Sequence, residues 1–270
     1  MKGSLLKIGI FDSGSGGLSV LREILRILPK EKYVYYSDNA NCPYGEKSVE
    51  FIRNRAREIT RLLISKGAQI IVVACNTATA AAISVLREEF PVKFIGMEPA
   101  VKPAALSSKT GVIGVLATAG TLKASRYLNI KEMFGDGTKI AEHVGEGFVE
   151  LVENGILDGP EAEETVRKSV LPLVAAGADR IVLGCTHYPF LRKVIERVAG
   201  PGVQVIDPAP AVARHLAEVM KQEGLLDHEY ADVPEATEIE LIASGPELPA
   251  RRLLDTIISG HAGWQPATKA

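Results

Sequence analysis

The chain has 270 residues, of which 46% are hydrophobic and 24% are charged, and its formal net charge is −2. This composition is typical of a globular protein with a buried core, and the length suits one large domain or two of ordinary size. The near-neutral charge argues against a nucleic-acid partner and against binding to a membrane surface, because either would require a basic face.

Short β-branched runs alternate with helical patterns along the chain, which predicts a parallel α/β fold. The predicted strands span residues 7–11, 33–36, 70–74, 93–96, 111–116, 139–142, 180–184 and 203–206. Apolar residues three and four positions apart predict an amphipathic helix that follows the first strand and stops before Pro29. A second helix of the same kind ends at Gly67, a residue type that suits a helix C-terminus.

One unit recurs within the chain. The segment 67–77 aligns with 177–187, which places Cys75 on Cys185, and the segments around them recur in the same order, 8–13 with 113–118 and 92–101 with 203–212. Three ordered pairs predict two pseudo-symmetric α/β lobes, with parallel-type sheets flanked by helices and an active-site cleft between the lobes. We expect residues 1–98 and 211–270 to form the first lobe, because the tail has no counterpart in the repeat, and residues 99–210 to form the second.

Cys75 and Cys185 each end a predicted buried strand and precede a predicted helix. A single cysteine in such a place is usually an inert apolar residue. Two of them, at matching points of facing lobes, would direct thiols into one cleft from opposite sides, an arrangement suited to moving a proton across a plane. The helix N-terminus favours a thiolate. Asn76 and Thr77 can cap the helix after Cys75, and the same groups could bind a carboxylate.

The two predicted lobes differ in the residues near their cysteines. Asp12 ends the first strand, and Ala117 takes the matching position in the second lobe. His187 follows Cys185 by two residues, where the first lobe has Thr77. Each thiol therefore has a different candidate proton-handling neighbour, although a histidine beside an apolar run is often only a core residue. From the sequence alone, a catalytic and a structural His187 remain equally open.

The turn 12–17 is glycine-rich and lies between a predicted strand and helix, which raises the alternative of a dinucleotide site with Asp38 as the ribose-binding acid. The third glycine of that fingerprint is replaced by Ser19, and the negative Asp12 disfavours a pyrophosphate. The turn more naturally holds an ammonium group through Asp12 and a carboxylate through Ser13. A nucleotide-binding regulatory protein stays the alternative from another functional class.

The remaining motifs bear on ligands and location. Tyr44, in the turn 41–46, could donate its hydroxyl to a bound carboxylate, whereas Cys42 has no repeat partner and is interpreted as a bystander. Three widely spaced cysteines predict neither a disulfide framework nor a metal site. Residues 1–7 have too few apolar residues to predict a signal peptide, and apolar runs stop well short of the roughly 20 residues of a membrane span. We therefore expect a cytoplasmic protein with reduced thiols and no membrane segment.

Four of these motifs, at 10–18, 43–45, 74–80 and 184–189, closely resemble the glutamate racemases, cofactor-independent members of the aspartate/glutamate racemase superfamily. The resemblance implies an isomerase that interconverts L-glutamate and D-glutamate and supplies D-glutamate for peptidoglycan synthesis, cell-wall biogenesis and cell shape. It implies two pseudo-symmetric lobes, commonly in a homodimer, and no pyridoxal phosphate, nicotinamide or metal. An aspartate racemase, or a racemase of another amino acid in the superfamily, stays the alternative within this class.

The resemblance also assigns roles by position. It implies that Cys75 deprotonates D-glutamate, that Cys185 deprotonates L-glutamate, and that Glu153 supports the Cys185 side together with His187. The substrate-binding positions that it implies are Asp12, Ser13, Tyr44, Gly45, Asn76, Thr77, Thr118, Thr121, Thr186 and His187.

Overall fold

The computed structural model describes residues 6–135, 137–226 and 238–259, which form two parallel β-sheets covered by helices. Within these residues the strands β1–β9 are Lys7–Asp12, Lys32–Ser37, Ile70–Val73, Lys93–Gly96, Val112–Ala117, Lys139–Val144, Arg180–Gly184, Gln204–Ile206 and Ile239–Ala243. The helices α1–α11 are Leu18–Ile27, Val49–Ser65, Asn76–Glu89, Val101–Ser107, Ala119–Lys123, Ser125–Gly135, Phe148–Glu153, Pro160–Ala175, Arg192–Ala199, Ala209–Gln222 and Leu248–Ser259.

The two sheets share one strand order. The first runs β4-β3-β1-β2-β9 and the second β8-β7-β5-β6, with every pair parallel. The repeated segments occupy equivalent strands, so β1 corresponds to β5, β3 to β7 and β4 to β8. The predicted α/β class with two similar parallel sheets is confirmed.

Strand β9 was not predicted, and it adds a fifth strand to the first sheet beside β2. Its pattern is hard to recognise because it is a short edge strand in which only Leu241 is fully buried. The position of β9 is compatible with a chain that returns to the first lobe. The lobe boundaries at residues 98 and 210 stay a prediction, and residues 227–237 and 260–270 of the predicted first lobe lie outside the described residues.

The central strands are apolar throughout because helices cover both faces of each sheet. In β1, Ile8 and Ile10 pack in a cluster that includes α1, α10 and α11, whereas Phe11 faces the opposite cluster with α2 and α3. This double burial explains why the strands appear in the sequence as unbroken β-branched runs. It also leaves the strand ends as the places where polar side chains can gather.

The carboxyl ends of β1, β3, β5 and β7 converge where the two sheets face each other. Polar contacts cross between the lobes there: Ser15 N donates to Glu153 Oε1 at 2.6 Å, and Ser19 Oγ donates to the carbonyl of Thr186 at 2.9 Å. Ligands of open parallel sheets bind beyond the carboxyl ends of the strands. Among the described residues, no helix combines the length and the apolar character needed to cross a membrane.

Candidate active site

Cys75 lies between β3 and α3 and is itself the N-cap of α3. Its side chain is 5% exposed, and its Sγ accepts a hydrogen bond from the backbone N–H of Ala78 at 3.4 Å. The prediction that Asn76 and Thr77 cap this helix is wrong, because the helix already begins at Asn76 and leaves Cys75 in the extended cap position. This helix N-terminal N–H lowers the pKa of the Cys75 thiol in part.

Asn76 and Thr77 instead direct their polar groups elsewhere. The amide Nδ2 and Oδ1 of Asn76 are buried and have no hydrogen-bond partner among the described residues. Thr77 Oγ1 lies 2.9 Å from the hydroxyl of Thr118 and 3.2 Å from that of Thr121. Thr118 is the N-cap of α5 and Thr121 lies within it, so two predicted substrate-binding threonines contact α3. Burying an amide without a hydrogen-bond partner costs free energy, and a ligand bound beside Asn76 would supply that partner.

Asp12 is fully buried at the end of β1. Its Oδ2 accepts hydrogen bonds from Gly17 N at 2.7 Å and from Thr186 Oγ1 at 3.3 Å, and Ser13 Oγ donates to its Oδ1 at 3.4 Å. Burial raises the pKa of Asp12, while its nearby charged and hydrogen-bonding groups lower it in part. The carboxyl group therefore lies between the two cysteine segments. Its role in substrate binding stays a prediction.

The Cys75 thiol donates to Ser13 Oγ at 3.7 Å, so a chain of hydrogen bonds joins Cys75, Ser13 and Asp12. The pKa of Cys75 is raised well above its usual value, first by burial and then by the negative charge of Asp12, with a further contribution from Cys185. The protonated form of Cys75 is therefore favoured in this structure.

Cys185, which follows β7, has a different environment. Its Sγ lies 3.8 Å from His187 Nδ1, and His187 Nε2 lies 2.7 Å from Glu153 Oε1. Burial lowers the pKa of His187, but hydrogen bonds to Cys185, Cys42 and Glu153 outweigh it, and the net pKa is well above the usual value. His187 is thus favoured as an imidazolium, which stabilises negative charge on Cys185 Sγ.

Glu153, at the C-terminal end of α7, completes this arrangement. Burial raises its pKa, but hydrogen bonds to His187 and Ser15 lower it by more, so the carboxylate form is favoured. Ser15 contributes both its N–H at 2.6 Å and its hydroxyl at 3.0 Å. The sequence offered no signal for Ser15, because its partner is 138 positions away.

The predicted helix directly after Cys185 is a different element. Residues Tyr188–Leu191 form a 3₁₀ turn, and only then does α9 begin at Arg192. Pro189 supplies no N–H for a hydrogen bond, which suits this short turn. Cys185 is therefore not the cap of an α-helix, and its observed polar neighbour is His187.

The glycine-rich turn packs closely on the second lobe. A Cβ atom on Gly14 would lie 2.3 Å from Glu153 Oε1, and one on Gly16 would lie 2.3 Å from His187 Nδ1. Glycine is required at both positions because no side chain fits there. The glycines of the turn therefore allow close packing against Glu153 and His187. This explains them without a bound phosphate and weakens the dinucleotide alternative.

Tyr44 and Asp38 form a structural unit with Arg55. The guanidinium of Arg55 contacts the buried carboxyl group of Asp38 at 2.7 Å, and the Tyr44 hydroxyl donates to Asp38 Oδ2 at 2.5 Å. Hydrogen bonds, led by that of Arg55, lower the pKa of Asp38 despite its burial. The Tyr44 proton is therefore engaged by Asp38 rather than aimed at a substrate carboxylate. Gly45, the next residue, lies against Thr118, whose Cβ would be 2.9 Å from an added Cβ.

Cys42 is not remote from the site, contrary to its interpretation as a bystander. Its Sγ, a carboxylate oxygen of Glu153 and a ring nitrogen of His187 all lie within 4.8 Å of one another. These are atom types that can bind a metal ion. The sequence did not indicate the cluster because its three members come from separate segments, and His187 Nε2 is already hydrogen-bonded to Glu153.

Comparison with known proteins matches residues 8–216 to the model of the Asp/Glu/Hydantoin racemase family. A glutamate racemase from Methylococcus capsulatus is 47% identical over 261 residues, which cover 96% of this chain and 94% of that protein.

Solved structures are also similar. A glutamate racemase isoform from Bacillus anthracis superposes with a TM-score of 0.83 at 32% identity, covering 99% of this chain and 98% of the other. The Escherichia coli glutamate racemase, solved with L-glutamate and the activator UDP-MurNAc-Ala, gives a TM-score of 0.81 at 33% identity and covers 97% of this chain and 98% of its own. Taken with the paired buried cysteines, these matches show that the chain belongs to the Asp/Glu/Hydantoin racemase family.

Proposed function

We propose that this protein is a glutamate racemase that interconverts L-glutamate and D-glutamate with Cys75 and Cys185 as its two acid/bases. The observation that carries the proposal is the placement of two buried thiols on matching strands of facing sheets, around one cluster of polar groups. The similar proteins are glutamate racemases, which supports glutamate as the substrate.

The environments of the thiols support a definite starting state. His187, held by Glu153, stabilises a thiolate at Cys185, while burial and Asp12 favour the thiol at Cys75. The Cys185 thiolate then takes the α-proton of L-glutamate, and the Cys75 thiol delivers its proton to the opposite face. D-glutamate leaves with Cys75 as thiolate and Cys185 as thiol, and the reverse reaction restores the first state.

The α-proton of an amino acid is only weakly acidic, so negative charge that develops on the α-carboxylate must be stabilised. The unpartnered amide of Asn76 and the N-terminal N–H groups of α3 are the groups suited to this. Preorganised donors of this kind usually make one of the largest contributions to catalysis. Asp12 is placed to receive the ammonium group.

The predicted biological setting follows from this activity. D-glutamate is a component of peptidoglycan, so the enzyme would act in the cytoplasm for cell-wall biogenesis and cell shape. We expect a homodimer and an activity that needs no pyridoxal phosphate, nicotinamide or metal. Size-exclusion chromatography with light scattering tests the first expectation, and assays after exhaustive dialysis against a chelator test the second.

Circular dichroism of the purified protein with pure L-glutamate or D-glutamate tests the proposal. We expect the signal of either enantiomer to decay to zero as the racemic mixture forms. The Cys75→Ser/Cys185→Ser double variant is the control and should leave both signals constant. Decay with L-aspartate but not with L-glutamate would assign the alternative substrate, and nucleotide binding without any decay would favour the regulatory alternative.

A further inference from the structure

Two cavities flank the seam where the lobes meet above the buried site. One has a volume of about 680 Å³ and is lined by Lys47, Arg53 and Lys123; we call it the basic cavity. The other has a volume of about 160 Å³ and is lined by Glu46, Glu146 and Glu150; we call it the acidic cavity. Neither set of charged residues was singled out in the sequence.

Both cavities reach predicted substrate contacts. Gly45 lines both of them, Thr77 lines the basic cavity, and Thr118 lines the acidic cavity. The hydroxyls of Thr77 and Thr118 are 2.9 Å apart, so the two cavities approach the same point of the site from different sides. Because Cys75, Cys185 and Asp12 are buried, a substrate needs a route between the lobes, and both cavities lead toward the site.

Beside the basic cavity, the two lobes meet through a close contact of Gly120 with Gly45 and Thr77. Gly120, from α5, lies so close to Gly45 that an added Cβ would be 2.9 Å from the Gly45 carbonyl oxygen and 3.1 Å from Thr77 Cγ2. The backbone of Gly45 and the side chain of Thr77 therefore form part of the wall between this cavity and the threonine hydroxyls. A small separation of the lobes at this seam would connect the basic cavity with the site.

The charges of the two cavities are opposite. The basic cavity has three cationic side chains against the single carboxylate of Glu46, which lines both cavities, and the acidic cavity has three carboxylates and no cation. Among the described residues, no ion pair involves Lys47 or Lys123. Arg53 Nε donates to the carbonyl of Ala81 at 2.9 Å, which fixes its guanidinium in the cavity wall.

We propose that an anionic amino acid enters through the basic cavity, where Lys47, Arg53 and Lys123 form an entry site that captures its carboxylates before the lobes close. The dicarboxylic character of this ligand rests on the proposed function. Clefts lined by one sign of charge concentrate ions of the opposite sign and steer them inward. The acidic cavity repels the same ligand, so it is not the route of entry.

Two charge-reversed variants test this entry site. Lys47→Glu/Lys123→Glu reverses two charges of the basic cavity, and Glu146→Lys/Glu150→Lys is the matched control that reverses two charges of the acidic cavity. All four residues are exposed, so folding should be retained, and thermal unfolding followed by circular dichroism checks this. The kcat and KM for L-glutamate are measured at ionic strengths of about 0.01 M and about 1 M.

We expect Lys47→Glu/Lys123→Glu to raise KM about tenfold at low ionic strength with kcat almost unchanged, because capture is impaired but the chemistry is intact. At high ionic strength KM should approach that of the unaltered enzyme, since exposed charges are screened. Lys47→Gln/Lys123→Gln should give an intermediate KM. The acidic-cavity control should leave KM unchanged or lower it.

An unchanged KM in Lys47→Glu/Lys123→Glu at low ionic strength would overturn the proposal, as would an equal rise in the control. A fall in kcat that salt does not relieve would also contradict it, because that result indicates damage to the site. If the unaltered protein racemises no amino acid, the proposed function fails instead. Calorimetric binding of glutamate to the same variants then decides the entry site separately.

Discussion

The two cysteines occupy equivalent places in the two sheets but have different chemical surroundings. Cys75 caps α3 and is joined through Ser13 to the carboxyl group of Asp12. Cys185 precedes a 3₁₀ turn and lies beside His187, which Glu153 holds. Repetition of the fold therefore places the two sulfurs at equivalent positions, whereas unmatched neighbours give each sulfur different electrostatic surroundings.

This difference has a functional consequence for a reaction that runs in both directions. A racemase needs one thiolate and one thiol at the start of each half-cycle, and two identical environments would not favour either assignment. The carboxyl group on one side and the imidazolium on the other distinguish the two thiols.

Replacing one thiol tests whether the two sides act on opposite faces. Cys75→Ser and Cys185→Ser should each lower racemisation by about 10²- to 10⁴-fold, because a hydroxyl is a poor substitute for a thiol acid/base. Elimination of HCl from 3-chloroglutamate needs only one base, which takes the α-proton as chloride leaves the adjacent carbon. Cys75→Ser should retain elimination from the L-configured compound, and Cys185→Ser from the D-configured compound.

Chloride release and circular dichroism measure these two reactions, and thermal unfolding confirms that both variants are folded. A single-cysteine variant that racemises at nearly the normal rate would refute the two-base scheme. Loss of elimination from both enantiomers in one variant would show that the two sides are not independent.

Removing the imidazole tests the Cys185 side alone. His187→Asn should lower elimination from the L-configured compound by about 10²-fold, because the negative charge on Cys185 loses its neighbouring cation. Elimination from the D-configured compound should change much less. His143→Asn is the control, since the Nδ1 of His143 lies 2.9 Å from the carbonyl of Val144 rather than beside a cysteine. Equal losses for the two enantiomers would contradict a role confined to Cys185.

Asn76 follows Cys75, whereas the residue that follows Cys185 is Thr186, which has no amide. Asn76→Leu should lower kcat/KM for glutamate about 10- to 100-fold, because it removes a donor to a charged group. Stability should not fall with it, since an unpartnered buried amide is replaced by an apolar side chain of similar size. The control is Asn129→Leu on the exposed face of α6.

Activity and the melting temperature are measured on the same samples. A decrease in the melting temperature of Asn76→Leu as large as in a typical core variant would indicate that the amide has a structural partner. Unchanged kcat/KM would remove Asn76 from the binding site.

The Glu153–His187 pair has the smallest expected effect, on stability rather than on rate. The pKa of Glu153 is lowered from 4.5, so its contribution is present above that pH and is lost as the pH falls through the lowered value. The pKa of His187 is raised from 6.5, so its contribution is complete below that pH and is lost as the pH rises through the raised value. The pair should stabilise the fold most between these two values.

Melting temperatures of the unaltered protein and of Glu153→Gln, measured across this pH range, test the pair. We expect a difference of a few degrees at about pH 5–6 that becomes smaller as the solution is made more alkaline. A difference that grows with rising pH would show that the imidazole is neutral in the folded protein.

Much of the fold could be predicted from the sequence because the responsible signals are local. The eight predicted strands lie where β1–β8 are observed, since burial on both faces requires unbroken apolar runs. The repeat located Cys75 and Cys185 at strand ends for the same reason. Strand β9 was missed because an edge strand has little burial to mark it.

Contacts between distant segments could not be predicted in this way. Ser15 and Glu153 are 138 positions apart, and no periodic pattern connects them. The approach of Cys42 to His187, the engagement of Tyr44 by Asp38, and the opposite charges of the two cavities also appeared only after folding. The residues next to a turn residue in the sequence do not indicate which side chain of another segment it will contact.

The strands, their duplication and the two thiols are encoded locally, because hydrophobic periodicity and residue type act over a few positions. The difference between those thiols arises from folding. Charge on a buried group depends on distances of a few ångströms to side chains contributed by other segments, and only the packing of one lobe against the other sets those distances.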